Sequence, residues 1–292
     1  AVVSTGVIGE QLPMEKIKKG IEEISTFINS KLPRDFGESI LTTDTFAKST
    51  CFETEIDGKK VSMAGAAKGS GMIEPNMGTM LGFITTDADI DSASLDLALK
   101  QVVDETFNCI TVDGDTSTND MVLVLANGLA GNGTLTPDHE DWDTFMELLS
   151  NTCEDLAKQI ARDGEGATKL IEVDVKGAIT DEDAKKIAKS IVGSSLVKTA
   201  VFGTDANWGR IIAAIGYSGA EVNPETIDMS IGTMQLLKNS EPTGFSEVEA
   251  TAYLQNDTIL INVDLKIGDG KGKAWGCDLT YDYVRINASY RS

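Results

Sequence analysis

The sequence has 292 residues but only one histidine, six prolines, four cysteines and 6% aromatic side chains. One imidazole leaves no room for a His-rich metal site, and a Ser-His-Asp arrangement would have to use His139. That residue sits in the acidic run Pro137–Asp143, where a helix pattern begins, and is expected to be a solvated surface side chain. Cys51, Cys109, Cys153 and Cys277 are widely spaced with no C-x-x-C pair, so the expectation is free thiols in a reducing cytoplasm. The Asn-x-Ser/Thr sequons at Asn132, Asn256 and Asn287 then read as chance matches. No apolar run approaches the roughly 20 residues of a membrane span, and the opening residues lack the basic region of a signal peptide. Basic clusters are missing too. With 25 Lys+Arg against 46 Asp+Glu the net charge is −21, a field that repels phosphate backbones and argues against nucleic acid as a partner.

What is present reads as an ordered globular chain, glycine-rich but without low-complexity runs. Ile17, Ile21, Ile24 and Ile28 recur at helical spacing between Pro13 and Pro33, which predicts an amphipathic helix over about 12–32. Residues 51–56 and 61–64 flank Asp57-Gly58-Lys59-Lys60, a hairpin signal, and a glycine-rich stretch from Gly65 to Gly71 follows the second strand. Thr79–Thr86 and Met121–Ala126 read as buried strands. Leu95, Leu99, Val102, Val103 and Phe107 mark a helix, as do Phe145, Leu148, Leu149, Cys153, Leu156 and Ile160. The texture changes near residue 167. Lys169–Val175 alternates as a half-buried strand, Asp181 is placed to cap a helix, Asn207–Ala214 reads as another helix, and strands are expected over about 227–237, 258–267 and 274–289. The mixture predicts an α+β fold in two regions, 1–166 and 167–292.

By spacing alone, Lys68-Gly69-Ser70-Gly71 and the residues up to Leu81 make a tight turn between strands; a Walker A loop needs Gly-Lys-Ser/Thr, and the order here is Lys-Gly-Ser. Asp113-Gly114-Asp115 lacks the Glu and the spacing of an EF-hand and reads as structural, near the site. Asp205, Asn207, Trp208 and Arg210 read as a helix start with a packed Trp. The segment Lys68–Asp87, however, is similar to the self-cleavage site of the ornithine acetyltransferase family, also called glutamate N-acetyltransferases. Six further blocks match in order: Ser4–Met14, Thr42–Thr45, Thr111–Asp120, Ala161–Lys169, Thr204–Arg210 and Tyr283–Tyr290. The resemblance therefore covers nearly the whole chain.

The resemblance implies an α-β-β-α layered sandwich of the N-terminal-nucleophile-like, self-cleaving type, joined to a smaller α/β C-terminal domain whose final strand and tail return to the site. It implies cleavage between Gly78 and Thr79. Thr79 then supplies a nucleophilic hydroxyl and, as a new N-terminus, an α-amine with a reference pKa near 8 to serve as base, so no imidazole is required. In such proteins the acetyl group of N-acetylornithine passes to the threonine as an ester, ornithine leaves, and glutamate takes the acetyl group. Thr5 and Gly6 match the oxyanion hole. Lys68 matches a substrate-binding cation, Thr42 (with Thr43 adjacent) a substrate-binding hydroxyl, and Glu165 a carboxylate for the cationic end of ornithine. Asn287 and Ser292 match the family's Asn and closing Thr.

No metal or other cofactor is implied, although acetyl-CoA is a further co-substrate in bifunctional members. The implied partners are the small-molecule substrates and the chain's own cleavage products, assembled as a heterotetramer in the cytoplasm. Three departures stand out: Gly78 where Ala is usual, Ser292 where Thr is usual, and a start almost at the oxyanion segment, which suits a fragment or a shortened variant. Two other readings stay open, a related amidase or aminopeptidase that passes the acyl group to water, and an uncleaved binding protein. The global negative field opposes anionic glutamate, which gives Lys68 the larger part in attracting it.

Overall fold

The computed structural model describes residues 7, 9–24, 33–74 and 80–289. Two helices come first, α1 (Met14–Ile24) and α2 (Pro33–Ser39). The helix predicted over 12–32 is described only as α1, with Ile21 and Ile24 exposed, and residues 25–32 lie outside the described ones. Pro33, expected as a stop, instead opens α2, where its fixed φ and missing N–H suit the first helical position.

The hairpin forms as predicted, from β1 (Lys48–Ile56) and β2 (Lys59–Lys68), closing at Asp57 and Gly58 with φ of 51° and 67°. Two left-handed residues define the hairpin turn whose twist matches the strands. β2 continues through the glycine-rich stretch to Lys68 where a loop was expected. The first sheet is completed by β3 (Leu81–Thr86), antiparallel to β2. After α3 (Ser92–Glu105) and the short β4 (Ile110–Thr111) comes β5 (Met121–Ala126), parallel to β3, giving the order β1-β2-β3-β5. The long α4 (Trp142–Arg162) lies against β1 and β2, burying Phe145, Leu149, Leu156 and Ile160.

The second half comprises β6 (Leu170–Ala178), α5 (Asp181–Gly193), α6 (Ser195–Phe202), α7 (Trp208–Gly216), β7 (Asp228–Ile231), β8 (Met234–Lys238), β9 (Glu241–Pro242), α8 (Glu247–Tyr253), β10 (Thr258–Asp264), β11 (Gly270–Cys277) and α9 (Tyr281–Ser289). Its sheet has the order β4-β11-β6-β10-β7-β8-β9, so β4 from the first half forms one edge. α5 packs on β11 and β6, while α4 touches β11 from the side that carries Trp275 and Cys277. The result is α+β layering with two apolar clusters. One runs from Ile56 to Leu170 and takes back Trp275 and Cys277; the other runs from Ile171 to Ala274.

Several expectations are corrected. The strand predicted over 227–237 is the β7–β8 hairpin, and α6 and α8 were not predicted. Thr180, not Asp181, caps α5, accepting from Asp183 N at 3.1 Å; Asp181 instead accepts from Lys271 N at 2.7 Å. The strand predicted over 274–289 ends at Cys277 and α9 follows, so the element expected as a returning final strand is a helix. The Thr280 hydroxyl receives Asp282 N at 3.1 Å, which starts a helix despite the aromatic and β-branched residues beyond it. His139 is no solvated side chain. Its Nδ1 accepts from Asp141 N at 3.0 Å, which leaves the proton on Nε2 to donate to Asp57 at 3.2 Å, tying the hairpin tip to the start of α4. The reading of Asn207 and Trp208 holds: Asn207 caps α7, and Trp208 packs on the second core. All four cysteines are unpaired, and no helix among the described residues is long and apolar enough to cross a membrane.

Candidate active site

The chain between the end of β2 and Glu74 is held almost residue by residue. Gly69 N donates to Asp44 Oδ1 at 2.7 Å. Ser70 Oγ donates to the Asp163 carbonyl at 2.6 Å, and Ser70 O accepts from Glu165 N at 2.9 Å. Met72 N and Ile73 N donate to the two carboxylate oxygens of Asp113 at 2.7 and 2.9 Å. Past residues 75–79, Met80 is buried and its carbonyl accepts from Met121 N at 3.0 Å. Both flanks of residues 75–79 are thus pinned to the sheet and to the loops beside it.

Beneath this turn lies a charge cluster that sequence reasoning missed. Lys48 is fully buried, and its ammonium bridges Asp44 and Asp163 at 2.6 Å each. Asp163 also accepts from Thr45 N at 2.9 Å and from the Thr45 hydroxyl. Burial opposes ionisation of Asp44, but Lys48, Gly69 N–H and Thr42 N–H outweigh it and hold its pKa below the ordinary value. The sequence offered one signal: Asp44 and Asp163 lie inside the matched blocks. Nothing in spacing pairs Lys48 with a residue 115 positions away.

Four of the residues expected at the site are gathered on this frame. Thr42 is exposed, with its N–H and hydroxyl on Asp44 Oδ2 at 3.1 and 3.4 Å. Lys68, 3% exposed, closes β2 with no hydrogen bond or salt bridge among the described residues; burial pulls its pKa down, against the attraction of Asp44 and Asp120. Glu165 is buried opposite Gly71, at whose position a Cβ would stand 2.4 Å from the Glu165 carboxyl carbon. Asn287 reaches from α9 to donate to Glu165 Oε2 at 2.7 Å. Gly166 lets α9 come this close, because its φ is 72° and a Cβ there would lie 2.7 Å from Tyr283 N. Tyr283 extends the link to Asp113 at 3.4 Å, and burial with nearby carboxylates raises its pKa to about 12. Asp113 therefore holds backbone N–H groups of the turn and the Tyr283 hydroxyl, the part of a structural residue. Thr5, Gly6, Gly78, Thr79 and Ser292 lie outside the described residues.

The arrangement offers a buried cation and a buried, oriented anion on two sides of one turn. Charges of opposite sign placed in this way have the chemistry to take a molecule carrying both, such as an amino acid. The ArgJ family model matches residues 1–292. The arginine biosynthesis bifunctional protein ArgJ of Geobacillus stearothermophilus is 68% identical over the whole of this chain and 71% of its own length; that of Bacillus subtilis (strain 168) is 61% identical over the same shares. A crystal structure of the arginine biosynthesis bifunctional protein argJ from Bacillus halodurans superposes with a TM-score of 0.72 at 69% identity, covering 73% of this chain and all of that one. With the family model spanning every residue and relatives this similar along the full chain, the chain belongs to the ArgJ family.

Proposed function

We propose that this chain, an acetyltransferase of arginine biosynthesis, moves the acetyl group of N-acetylornithine to glutamate through an ester on Thr79. The observation that carries the reading is the Lys68 and Glu165 pair: a buried ammonium without a partner among the described residues, across the Gly69–Gly71 turn from a buried carboxylate oriented by Asn287. Lys68 takes a substrate carboxylate and Glu165 the ammonium of ornithine, while Thr42, beside Asp44, adds a hydroxyl. The Thr79 hydroxyl attacks the acetyl carbon, its α-amine takes the hydroxyl proton and returns it to the departing ornithine nitrogen, and glutamate reverses the path. Thr5 and Gly6 steady the oxyanion, and Ser292 closes the pocket with Asn287.

The amine exists only after cleavage of Gly78–Thr79. The size of the related crystal chain suits such a cut: it covers 73% of this chain, and the piece from Thr79 to Ser292, at 214 of 292 residues, is a share of the same size. The working enzyme in this reading is a cytoplasmic heterotetramer of the two pieces, divided into domains at Gly166, with acetyl-CoA as a second donor. Mass spectrometry of the protein mixed with N-acetylornithine should find one acetyl group on the Thr79-led piece. An adduct that persists in Thr79→Ala, or acetate released equally fast with and without glutamate, sinks the reading.

A further inference from the structure

Self-cleavage poses a chemical problem that acetyl transfer does not. Before the Gly78–Thr79 bond is cut, the nitrogen of Thr79 is an amide and cannot act as base. Another group must take the hydroxyl proton, and the single imidazole is held at the hairpin tip by Asp57 and Asp141. A suitable base would be buried, uncommitted to other hydrogen bonds, and within reach of Thr79 Oγ.

Asp120 has the first two properties among the described residues, and it stands beside Met80, the residue that follows Thr79. Both of its carboxylate oxygens are shielded from solvent without a hydrogen-bond partner among the described residues, in contrast to Asp44, Asp113 and Asp163, whose oxygens are taken. It directly precedes Met121, whose N–H binds Met80 O, and Met80 N–H lies close enough to favour its charged form without completing a hydrogen bond. Met80 N is bonded to Thr79. Four covalent bonds separate that nitrogen from Thr79 Oγ, so the two are at most about 5 Å apart in any conformation.

The same carboxylate lines a cavity of about 440 Å³ with Met80, Val103, Phe107, Met121 and Asn108. The Asn108 carbonyl oxygen is likewise buried without a partner among the described residues. Two unsatisfied acceptors in one roomy pocket suit water, which the last step of cleavage consumes.

We infer that Asp120 is the general base of self-cleavage, taking the proton of the Thr79 hydroxyl as that oxygen attacks the Gly78 carbonyl carbon. The Gly78 C–Thr79 N bond then breaks, the proton passes from Asp120 to the departing nitrogen, and an ester joins Gly78 to Thr79 Oγ. Water from the cavity side hydrolyses this ester, leaving a Gly78 carboxylate and restoring the hydroxyl. No oxidant, metal or second substrate is consumed.

Burial raises the Asp120 pKa to about 7, against the pull of Met80 N–H and Lys68. From α3, Asp96, Lys100 and Asp104 share the cavity; Lys100 is paired with Asp96 at 2.7 Å, and Asp104 accepts from Asn108 Nδ2 at 2.9 Å. The basic form of Asp120 therefore fills in as pH rises through neutrality.

The inference rests on the self-cleaving reading above, and its test keeps the two apart. Freshly synthesised full chain is followed on denaturing gels between about pH 5.5 and 9. The wild type should split with a rate that climbs and levels off near pH 7. Asp120→Asn should slow splitting at least about 100-fold, the usual worth of a general base, and lose the inflection; Asp120→Glu should keep it. Circular dichroism melting checks that the variants fold. Cleavage of Asp120→Asn at the wild-type rate, or with the inflection intact, overturns the inference. So does loss of the inflection in Lys68→Met but not in Asp120→Asn. A wild type that never splits, or a Thr79→Ala chain that splits at the same bond, instead sinks the self-cleaving reading itself.

Discussion

Replacing Lys48 by Met keeps the length of the side chain and deletes its charge. In the folded protein the ammonium is fully buried between Asp44 and Asp163 at 2.6 Å each, and both carboxylates are buried with it. Coulomb attraction at that separation is large, but much of it only offsets the cost of bringing three charges out of water. Removing one partner leaves the other two unpaired in a low-dielectric site, and such losses run to about 3–5 kcal/mol. Measured against a total stability of about 5–15 kcal/mol, that is a large share, and it corresponds to a fall in melting temperature on the order of 10 °C. Urea titration at pH 7 measures it directly. A Lys48→Met protein within 1 kcal/mol of the wild type would refute the reasoning.

Two refinements sharpen the test. Lys48→Met combined with Asp44→Asn should lose less than the sum of the single changes, since the second removes a charge that the first has stranded. The pH dependence has a definite sign. The Asp44 pKa is depressed in the folded state, so its contribution is present above its unfolded value of about 3.9 and is lost as pH falls through the lower, folded one. The gap between wild type and Lys48→Met should therefore be widest near neutrality and shrink below about pH 4.

Gly71→Ala would drive a methyl group into the Glu165 carboxylate, since a Cβ there lies 2.4–2.6 Å from its atoms. Displacing that group should cut kcat/KM for N-acetylornithine on the order of 10-fold or more, with KM carrying most of the change and the melting temperature little altered. Gly65→Val should act on stability alone. A Cβ there would stand 2.7 Å from the fully buried Leu156 and 3.4 Å from Thr152, and forcing it in costs about 1–3 kcal/mol by denaturant titration. Alkylation at pH 8 followed by mass spectrometry should label Cys51 rapidly, because it is exposed. Cys109, Cys153 and Cys277 should stay unmodified until unfolding, since burial pushes their pKa values up, to about 11 for Cys109. Fast labelling of any buried thiol would contradict the packing of α4, of β11 or of the turn at Phe107–Cys109.

Much of the fold was legible where the pattern was local. Asp57-Gly58 announced a turn and Phe145 to Ile160 a helix, because both signals reside in a few adjacent residues. The failures share a cause. Thr280 and its neighbours form a helix and not a strand because one hydroxyl caps the turn and Gly166 makes room for it, a contact across 114 positions. His139 looked solvated because its acidic neighbours suggested a charged loop; the structure holds its ring between the backbone N–H of one neighbour, Asp141, and the carboxylate of Asp57, 82 positions away.

The block Thr111–Asp120 shows why matched motifs reveal which residues matter without revealing what they do. Asp113 and Asp120 lie seven positions apart with the same side chain. Asp113 faces the N–H groups of Met72 and Ile73, so its charge is spent holding the turn that leads to residues 75–79. Asp120 faces a cavity, the ammonium of Lys68 and the flank of Met80, with no donor among the described residues closing on either oxygen. A satisfied carboxylate is poor at taking a proton, because protonation breaks the bonds that hold it; an unsatisfied one loses nothing. The division into frame and base therefore follows from which backbone N–H groups the fold turns toward each residue, a property of β2, β3 and β5 together and not of the block that contains both aspartates.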